Sequence, residues 1–461
     1  GSFGRLNAAV SVGYEDARAG THLRAAWEEA ENDFPFRNTA LLGAPDQRQR
    51  NNFGENWNVQ QFNRLNINDK NVIETSAWFQ NAYRDIPPAM TEAPARSWQR
   101  DRALRTTAVW RHNAGNRSVW QHRLSWLDEN LAFHLEGDTD TSRSGTAIAG
   151  SEFSTGIGHR WTIKSGLTAW YQQARVDGYA DSTHWFGQKR IAANGMGEYR
   201  LPRGRLTALL RQEWAEDQGA PFTWALGGQH PLWPGSSLRW HLSRNFNLPT
   251  FNERYWRTLG NPNLQPEQGY SGDAGMLWQR GAFSAEITAF QLLLDNWILW
   301  QPGPDGLFRP GNLRQVWSRG LEWAFSWTLT RVQSRWRFST RQQWLRTTNT
   351  AVYAGNPGVL KKQLPYTPQY SGSAALQWSY RGWSAAYFHQ WTGPRFTNAD
   401  NSETIAGFHT GTFFLQYRFR IAAQRFSAEG RVENCWNQAY QLIAYRPMPG
   451  RAGRLGLNWF F

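Results

Sequence analysis

The side chains of this chain that could do chemistry are aromatic and arginine residues in the long segments between regularly patterned blocks. Tryptophan and tyrosine offer flat apolar surfaces, and arginine offers paired donors for carboxylate or phosphate groups. This is the chemistry of ligand binding. The candidate ligand-binding residues are Trp256, Arg257, Trp300, Arg309, Arg314, Trp391, Arg395, Tyr445 and Arg446. For each of them the commoner role is a place in an aromatic girdle or a contact with a lipid phosphate.

Residue sets for catalysis or metal binding are not found. The histidines fall on different blocks and lack paired ligand spacing, as in His22, His112, His122, His134 and His159. Cys435 is the one cysteine, so an intrachain disulfide or a thiolate cluster is excluded. No Ser/His/Asp set occurs at matching loop ends. We therefore expect no enzyme, no metal site and no covalently bound cofactor.

The blocks that must position the candidate residues alternate with a period of two. Between Leu321 and Leu329 every odd residue is apolar and every even residue is small or polar. Residues 8–14 and 374–380 alternate in the same way, and so do residues 413–419 apart from Phe414. The chain has 28 Trp and a mean hydropathy of −0.66, and it lacks the apolar run of about 18 residues that a spanning helix needs. This combination predicts an all-β transmembrane barrel, since lipid leaves no other way to pair backbone groups.

The connections between blocks alternate in length. Short ones are expected at 68–70, 113–116, 201–204, 279–281 and 380–382, and long ones at 32–52, 84–102, 256–269, 346–367, 392–409 and 435–450. Outer-membrane barrels have short periplasmic turns and longer extracellular loops. The last strand, 452–461, follows a long loop and ends at Phe461, an aromatic C-terminal residue that resembles an outer-membrane assembly signal. We therefore expect a periplasmic C-terminus.

Counting blocks from both ends predicts about 21 antiparallel strands, whereas bacterial single-chain barrels have an even number. The first block, 5–15, precedes a short turn at 16–20 and therefore runs downward. A chain that enters from the periplasm must first run upward. The first barrel strand is thus expected to precede Gly1, and residues 1–461 are expected to form one barrel domain.

The formal charge is +14, and five of the 50 positive residues are lysines. Basic chains often bind nucleic acid, but these arginines are scattered singly at alternating positions. We expect no nucleic-acid partner. A polar barrel wall and surfaces facing anionic lipid and lipopolysaccharide account for the charge, and a positive lumen for anionic cargo is the alternative.

One central segment resembles a signature of the TonB-dependent outer-membrane receptors. Residues 245–255 read NFNLPTFNERY and residues 260–267 read GNPNLQPE, close to an "APT-aromatic-NE-x-Y" segment followed by "GNPNLxPE". The matching residues are Pro249, Asn252, Glu253, Tyr255, Gly260, Asn261, Pro262, Asn263, Pro266 and Glu267. Prolines fit where the ladder ends and a loop begins. The commoner role for this motif is to stiffen a loop without touching ligand.

Further segments resemble the same family in the same order. Residues 312–322 match its "N-x-G-x-x-x-x-x-G-x-E" strand at Gly320 and Glu322, with Arg314 where glycine is usual. Residues 364–368 match "LPYTP", and residues 432–440 match "x-x-NLFNxxY" with Cys435 and Trp436 substituted. Pro449, Gly450 and Arg451 close a "PMPGR" segment before the last strand.

The resemblance implies a barrel of about 22 strands whose lumen holds a plug. It also implies uptake driven by TonB with ExbB and ExbD, which act through a plug and a TonB box that residues 1–461 do not contain. By size and motifs the chain is similar to vitamin B12 and ferric-siderophore receptors, so a transported corrinoid or ferric siderophore is the implied cargo. A separate plug polypeptide could complete the receptor. The alternative is a passive porin or a structural barrel subunit of a larger envelope complex.

Overall fold

The structure, a computed structural model, describes residues 1–93, 96–115, 117–302, 305, 307–351 and 357–461. It is an antiparallel sheet of 21 strands in which each strand pairs with the next long strand along the chain. The first strands are β1 (Leu6–Glu15), β2 (Ala19–Ala30), β5 (Gly54–Asn68), β6 (Asn71–Ile86), β7 (Ser97–Gly115), β8 (Ser118–Leu135), β9 (Asp138–Ile157) and β10 (Trp161–Val176). Within the loop after β2, β3 (Pro35–Arg37) and β4 (Asp46–Arg48) form a separate small hairpin.

The sheet continues in the same manner to the C-terminus. The following strands are β11 (Phe186–Leu201), β12 (Gly204–Ala215), β13 (Thr223–Pro231), β14 (Ser236–Asn247), β15 (Glu267–Arg280), β16 (Phe283–Pro302), β17 (Phe308–Arg331) and β18 (Ser334–Asn349). The last are β19 (Tyr370–Tyr380), β20 (Trp383–Thr392), β23 (Phe408–Ile421), β24 (Gln424–Glu433) and β25 (Ala452–Phe460). A second small hairpin joins β21 (Arg395–Phe396) to β22 (Thr404–Ile405).

In the part of the chain that the structure describes, helical structure is confined to two short segments, α1 (Phe251–Tyr255) and a 3₁₀ turn (Pro357–Val359). Among the described residues no helix has the length and apolarity needed to cross a membrane.

Period-two alternation gives the sheet an apolar face and a polar face. On β17, Leu321 and Trp327 are exposed on the apolar face, and the register sets Leu321 opposite Trp344 of β18. Glu322 lies on the polar face, where Gln343 donates to it. The polar face also carries the ion pairs Arg105–Glu129, Arg111–Glu74, Lys164–Glu152 and Arg190–Glu213. The predicted all-β fold with about 21 strands is confirmed.

The connections divide the sheet into a long-loop end and a short-turn end. The short-turn end carries turns such as 69–70, 202–203, 281–282 and 381–382, and the long-loop end carries 31–53, 87–96, 248–266, 350–369, 393–407 and 434–451. The loop expected at 84–102 is shorter, because the strand pairing of β6 and β7 continues up to Ile86 and Ser97. The loop expected from residue 256 begins at 248, directly after β14.

Aromatic rings line the short-turn end of the apolar face. Trp383 stacks on Tyr417 at 4.3 Å between ring centroids, and Phe419 stacks on Phe426 at 5.6 Å. Trp459 follows, at 5.2 Å from Phe461. This arrangement is that of an interfacial girdle.

The two edge strands, β1 and β25, run in the same direction, because they are the first and last of 21 strands that alternate in direction. Each pairs with one neighbour in the sheet. At the long-loop end the edges touch, since Ser2 N donates to Gly453 O at 2.8 Å and Gly453 N donates to Ser2 Oγ at 2.8 Å.

Candidate ligand-binding surface

The family-like segment after β14 folds into a capped helical turn. Thr250 Oγ1 accepts a hydrogen bond from Glu253 N at 3.3 Å, and the Glu253 carboxylate accepts one from Thr250 N at 2.7 Å. This reciprocal pair is a capping box, which the Thr-x-x-Glu spacing favours. Pro249 precedes the cap, where no ladder donor is needed. The local sequence therefore determines that the chain turns sharply at the end of β14.

The return of this loop depends on Gly260 and Asn261. Gly260 N donates to Trp256 O at 2.6 Å, and Asn261 N donates to Glu253 O at 2.8 Å. A Cβ at residue 260 would lie 2.7 Å from both Arg254 O and Trp256 N, so glycine is required by the close backbone approach. Asn261 then accepts from the Asn263 amide at 3.0 Å. Pro262 and Pro266 lie in the same irregular segment.

The loop is tied to its neighbours by Asn312 and Glu267. Asn312 accepts from Gln265 N at 2.7 Å and donates to Gln265 O at 2.8 Å. The Glu267 carboxylate accepts a hydrogen bond from Ile298 N at 2.8 Å. It thereby satisfies a backbone donor near the irregular part of β16. The family-like residues in this segment thus bind one another and the adjacent strands, as loop-stiffening residues do.

An aromatic cluster connects this loop to the loop between β10 and β11. Tyr179 is buried, and its hydroxyl donates to Asn252 Oδ1 at 2.7 Å. Phe186 stacks on Tyr255 at 4.3 Å, and Trp256 packs against Tyr179. Burial raises the pKa of Tyr179 to about 12, with a smaller contribution from the nearby Tyr255. The two loops therefore form one packed unit.

Two candidate ligand-binding residues belong to this unit. Trp256 is half-buried, and its ring lies against Gly178, where an added Cβ would come within 2.5 Å of it. Arg257 is exposed, and its backbone N donates to Gly178 O at 3.0 Å. Trp256 thus contributes mainly to packing, and the exposed Arg257 side chain donates to Asp177 O at 3.5 Å.

The candidates around the loop between β16 and β17 lie apart from the cluster. Arg309 donates to both carboxylate oxygens of Asp305 at 2.7 and 2.8 Å. These bonds and one from Leu307 N lower the pKa of Asp305 to about 2. Trp300 pairs with Pro310 in the outer part of the β16–β17 ladder. Arg314 lies in β17, and its side chain is outside the described part of the structure.

A cavity of about 920 Å³ opens among four loops of the long-loop end. Residues of loops 31–53, 87–96, 393–407 and 434–451 line it. Its lining includes Phe36, Arg37, Met90, Tyr440, Tyr445, Met448 and Arg451. Concave sites with aromatic and apolar walls and a few polar groups are typical of small-molecule binding. We call it the loop cavity.

Tyr445 is held at the loop cavity in an unusual backbone conformation. Its φ is +62°, a left-handed value that is uncommon for an aromatic residue. Tyr445 N donates to Gln441 Oε1 at 2.8 Å, and Met90 N donates to Tyr445 O at 2.8 Å. Its side chain is 49% exposed, so the ring is free to meet a ligand.

Arg446 and Arg395 bind backbone carbonyl groups of the loops around the loop cavity. Arg446 donates to Pro87 O and lies 3.8 Å from a Glu92 oxygen. Arg395 is 5% exposed and donates to the carbonyl oxygens of Gln441 and Leu442 at 2.7 and 3.0 Å. Burial lowers its pKa. Arg395 therefore anchors loop 434–451.

The family-like residues of loop 434–451 also bind one another. Asn437 Oδ1 accepts from Arg451 N at 2.8 Å, and a Cβ on Gly450 would come within 2.6 Å of that oxygen. Pro449 O accepts from Asn434 Nδ2 at 3.2 Å. On β17, Gly320 leaves room for the Phe290 ring, which an added Cβ would meet at 2.7 Å.

Trp391 is placed away from the loop cavity. Its ring lies over Gly372, where a Cβ would come within 2.4 Å. Gly372 alternates with Tyr370, Ala374 and Leu376 on the apolar face. Trp391 thus belongs to the apolar face near its long-loop end.

Several lining residues were not among the sequence candidates, namely Phe36, Arg37, Met90, Tyr440 and Met448. They come from loops that are up to about 400 residues apart in the chain. No local spacing marks them, because only the loop conformations bring them together.

Sequence comparisons match this chain to outer-membrane transport proteins. A family model described as TonB dependent receptor-like, beta-barrel matches residues 13–435. The vitamin B12 transporter BtuB of Photobacterium profundum is 27% identical over 128 residues, 27% of this chain and 21% of that protein. BtuB of Vibrio vulnificus strain YJ016 is 36% identical over 78 residues, 17% of this chain and 13% of that protein. The matched parts therefore span about a fifth or less of these relatives.

Solved structures share the fold over nearly the whole chain. The siderophore receptor PirA of Acinetobacter baumannii has a TM-score of 0.79 at 12% identity, covering 100% of this chain and 78% of that one. The FrpB iron transporter of Neisseria meningitidis has a TM-score of 0.78 at 11% identity, covering 100% and 80%. The copper transporter OprC has a TM-score of 0.74 at 14% identity, covering 99% and 81%. At these identities the likeness establishes the fold.

Proposed function

The chain belongs to the TonB-dependent receptor β-barrel family, and from this premise we propose that it is the barrel of a receptor for uptake of a metal chelate. Family membership makes it a transport barrel of the Gram-negative outer membrane and not an enzyme. The apolar face meets lipid and the polar face lines the interior. The long-loop end is extracellular in this proposal, which leaves the C-terminus in the periplasm.

The observation that carries the proposal is the loop cavity. Its volume of about 920 Å³ falls in the range of about 300–1,000 Å³ typical of ligand sites. Tyr445, Tyr440 and Phe36 supply flat apolar surfaces, and Arg37 and Arg451 add guanidinium donors to the lining. A planar metal chelate with peripheral amide or carboxylate groups needs this combination.

The cargo class we propose is a corrinoid first and a ferric siderophore second. The curated relatives are vitamin B12 transporters, which favours the corrinoid. The solved structures include receptors for siderophores, among them ferric enterobactin, which keeps the second class open. Candidate contacts outside the loop cavity are Arg257, in the loop after β14, and Trp300, in the outer part of β16.

Energy coupling is proposed to pass from TonB, with ExbB and ExbD, through a plug that fills the polar interior. Because β1 and β25 run in the same direction, antiparallel closure needs one further strand between them. We propose that this strand and the plug come from outside residues 1–461, on the same polypeptide or a separate one. The family gives no support to a passive porin.

The test is equilibrium binding of cyanocobalamin and of iron(III) tris-catecholate to the intact receptor in detergent. We expect one probe to bind more tightly than about 1 μM, an affinity within reach of a site of this size. Tyr445→Ala and Arg37→Gln should each weaken binding at least about tenfold, a loss of about 1.4 kcal/mol. Arg203→Gln, in a short turn at the opposite end, is the matched control and should leave binding unchanged.

Three outcomes bear against parts of this proposal. Binding of neither probe would reject the metal-chelate class. Equal losses in Arg203→Gln would mean that the variants act through folding. Passive leakage of small solutes through vesicles holding the plug-bearing receptor would instead support a porin.

A further inference from the structure

Two arginines face each other on the apolar face of the sheet. Arg319 of β17 is the register partner of Arg346 of β18. Both alternate with residues that are exposed on that face, Leu321 and Trp327 on β17 and Trp336 and Phe338 on β18. Like charges directly opposite each other on one sheet face are destabilising. A pair of this kind on the lipid-facing side therefore requires a counter-charge.

The protein itself supplies no counter-charge that the structure describes. Arg319 lies over the Trp317 ring at 3.9 Å and donates at 2.9 Å to Trp317 O and to Thr348 Oγ1. On the other side of Arg319 the register partner is Gln291, which is neutral. Within the described chain, no carboxylate lies within 4.0 Å of either guanidinium. Arg346 is exposed.

The height of the pair matches the outer edge of the membrane. Arg346 lies ten residues above Trp336, which packs on Trp378 in the girdle of the short-turn end. At about 3.3 Å per residue and a strand tilt of about 40°, this separation is about 25 Å along the barrel axis, the height of the apolar band. The guanidiniums therefore lie at the level of the lipid headgroups on the long-loop side.

A second arginine pair on the same face has a different environment. Arg143 of β9 is the register partner of Arg175 of β10. There Asp128 accepts from Arg143 at 3.2 and 3.4 Å, and Arg175 lies 5.4 Å from the centroid of the Trp185 ring. This pair carries its own carboxylate, whereas Arg319 and Arg346 do not.

We propose that Arg319 and Arg346 form a binding site for the phosphate monoester of an outer-leaflet lipid. Two guanidiniums from adjacent strands offer paired donors to one dianionic phosphate. Leu321 and Trp344 lie directly below on the same face and provide apolar surface for the acyl chains. The lipid phosphate neutralises a charge pair that the fold leaves uncompensated. The site needs the membrane location of the barrel but not the cargo assigned above.

The test is native mass spectrometry of the full receptor titrated with lipid A that carries its phosphates, with dephosphorylated lipid A, and with inorganic phosphate. We expect a tightly retained copy of phosphorylated lipid A, at least tenfold weaker retention after dephosphorylation, and no competition by millimolar inorganic phosphate. Arg319→Gln and Arg346→Gln should each weaken retention at least tenfold. Arg319→Lys should keep part of it, since charge remains and the paired donors are lost.

Arg244→Gln is the matched control. Arg244 lies on the same face over the Tyr270 ring at 5.7 Å, with a Gln268 partner at 2.8 Å and no second arginine opposite. Its variant should retain the lipid within twofold of the wild type. An equal loss in Arg244→Gln would overturn the site, as would unchanged retention in both glutamine variants at 319 and 346. Displacement by inorganic phosphate would show a general anion site and would also overturn the lipid proposal. Cargo binding measured on the same samples separates this result from the proposed transport function.

Discussion

The Tyr179 hydroxyl donates a 2.7 Å hydrogen bond to Asn252 Oδ1 and so joins two loops that are 73 residues apart in the chain. Tyr179 is 4% exposed and packs among Phe186, Tyr255 and Trp256. The bond therefore closes a contact between the loop after β10 and the capped turn after β14. It gives the family-like motif a mechanical role at the long-loop end.

Tyr179→Phe should loosen this contact modestly. A lost hydrogen bond costs about 0.5–1.5 kcal/mol, because Asn252 is exposed and can turn to water. Tyr179→Ala should cost about 3–5 kcal/mol through the lost aromatic packing. Hydrogen exchange of residues 177–185 and 248–266 measures both losses. Tyr14→Phe removes an exposed hydroxyl at the short-turn end and should leave the exchange of these two segments unchanged. If Tyr14→Phe increased their exchange as much as Tyr179→Phe, the assignment would be contradicted.

The loop contact should also depend on pH in the alkaline range. Burial raises the pKa of Tyr179 to about 12, above the ordinary value of about 10 for tyrosine. A raised pKa means that the folded loops favour the protonated phenol. Their stabilisation is fully present below pH of about 10 and is lost as the pH rises through about 12. The difference between the ultraviolet pH titrations of the wild type and of Tyr179→Phe should show ionisation of Tyr179 at about pH 12. An inflection at about pH 10, the ordinary pKa of tyrosine, would contradict the prediction.

Gly260→Ala should disrupt the loop return. The new Cβ would lie 2.7 Å from two backbone atoms, Arg254 O and Trp256 N. Overpacking of this kind costs about 1–3 kcal/mol. Limited proteolysis of loop 248–266 checks the effect. Gly219→Ala in the loop after β12 meets nothing within 4 Å and is the control. Equal cleavage of the two variants would reject the close-approach argument.

Arg395→Ala should release loop 434–451. The side chain is buried and donates to the carbonyl oxygens of Gln441 and Leu442, and hydrogen bonds to a charged group contribute about 1.5–3 kcal/mol. We expect faster proteolysis of this loop and weaker ligand binding in the same proportion. Arg203→Ala, in a short turn at the opposite end, is the control and should leave both the proteolysis of this loop and ligand binding unchanged. Lost binding with a fully protected loop would instead make Arg395 a direct ligand contact.

The sheet could be predicted from sequence because its signals are local. Alternation in segments such as residues 321–329 specifies both faces, and connection lengths specify strand direction. The capping box of Thr250 and Glu253 and the tight return at Gly260 also follow from neighbouring residues. Strand ends were harder to predict, because β6 and β7 extend into residues 84–86 and 97–102, which the sequence predicted to be part of a loop.

The site could be predicted only in part. Tyr445 was a candidate and lines the loop cavity. Arg395 was also a candidate, but it is buried as an anchor, since nothing in its neighbouring sequence indicates the carbonyls that it meets. Phe36 and Met90 have no distinguishing pattern, because their place at the cavity results from loop packing between distant parts of the chain.

The central claim is that a metal chelate binds in the loop cavity. The most direct measurement is anomalous diffraction from crystals of the intact receptor soaked in turn with cyanocobalamin and iron(III) tris-catecholate. One of the two should give a cobalt or iron peak between Phe36, Tyr440 and Tyr445. A peak at another place on the barrel, or none at saturating concentration of either chelate, would contradict the account.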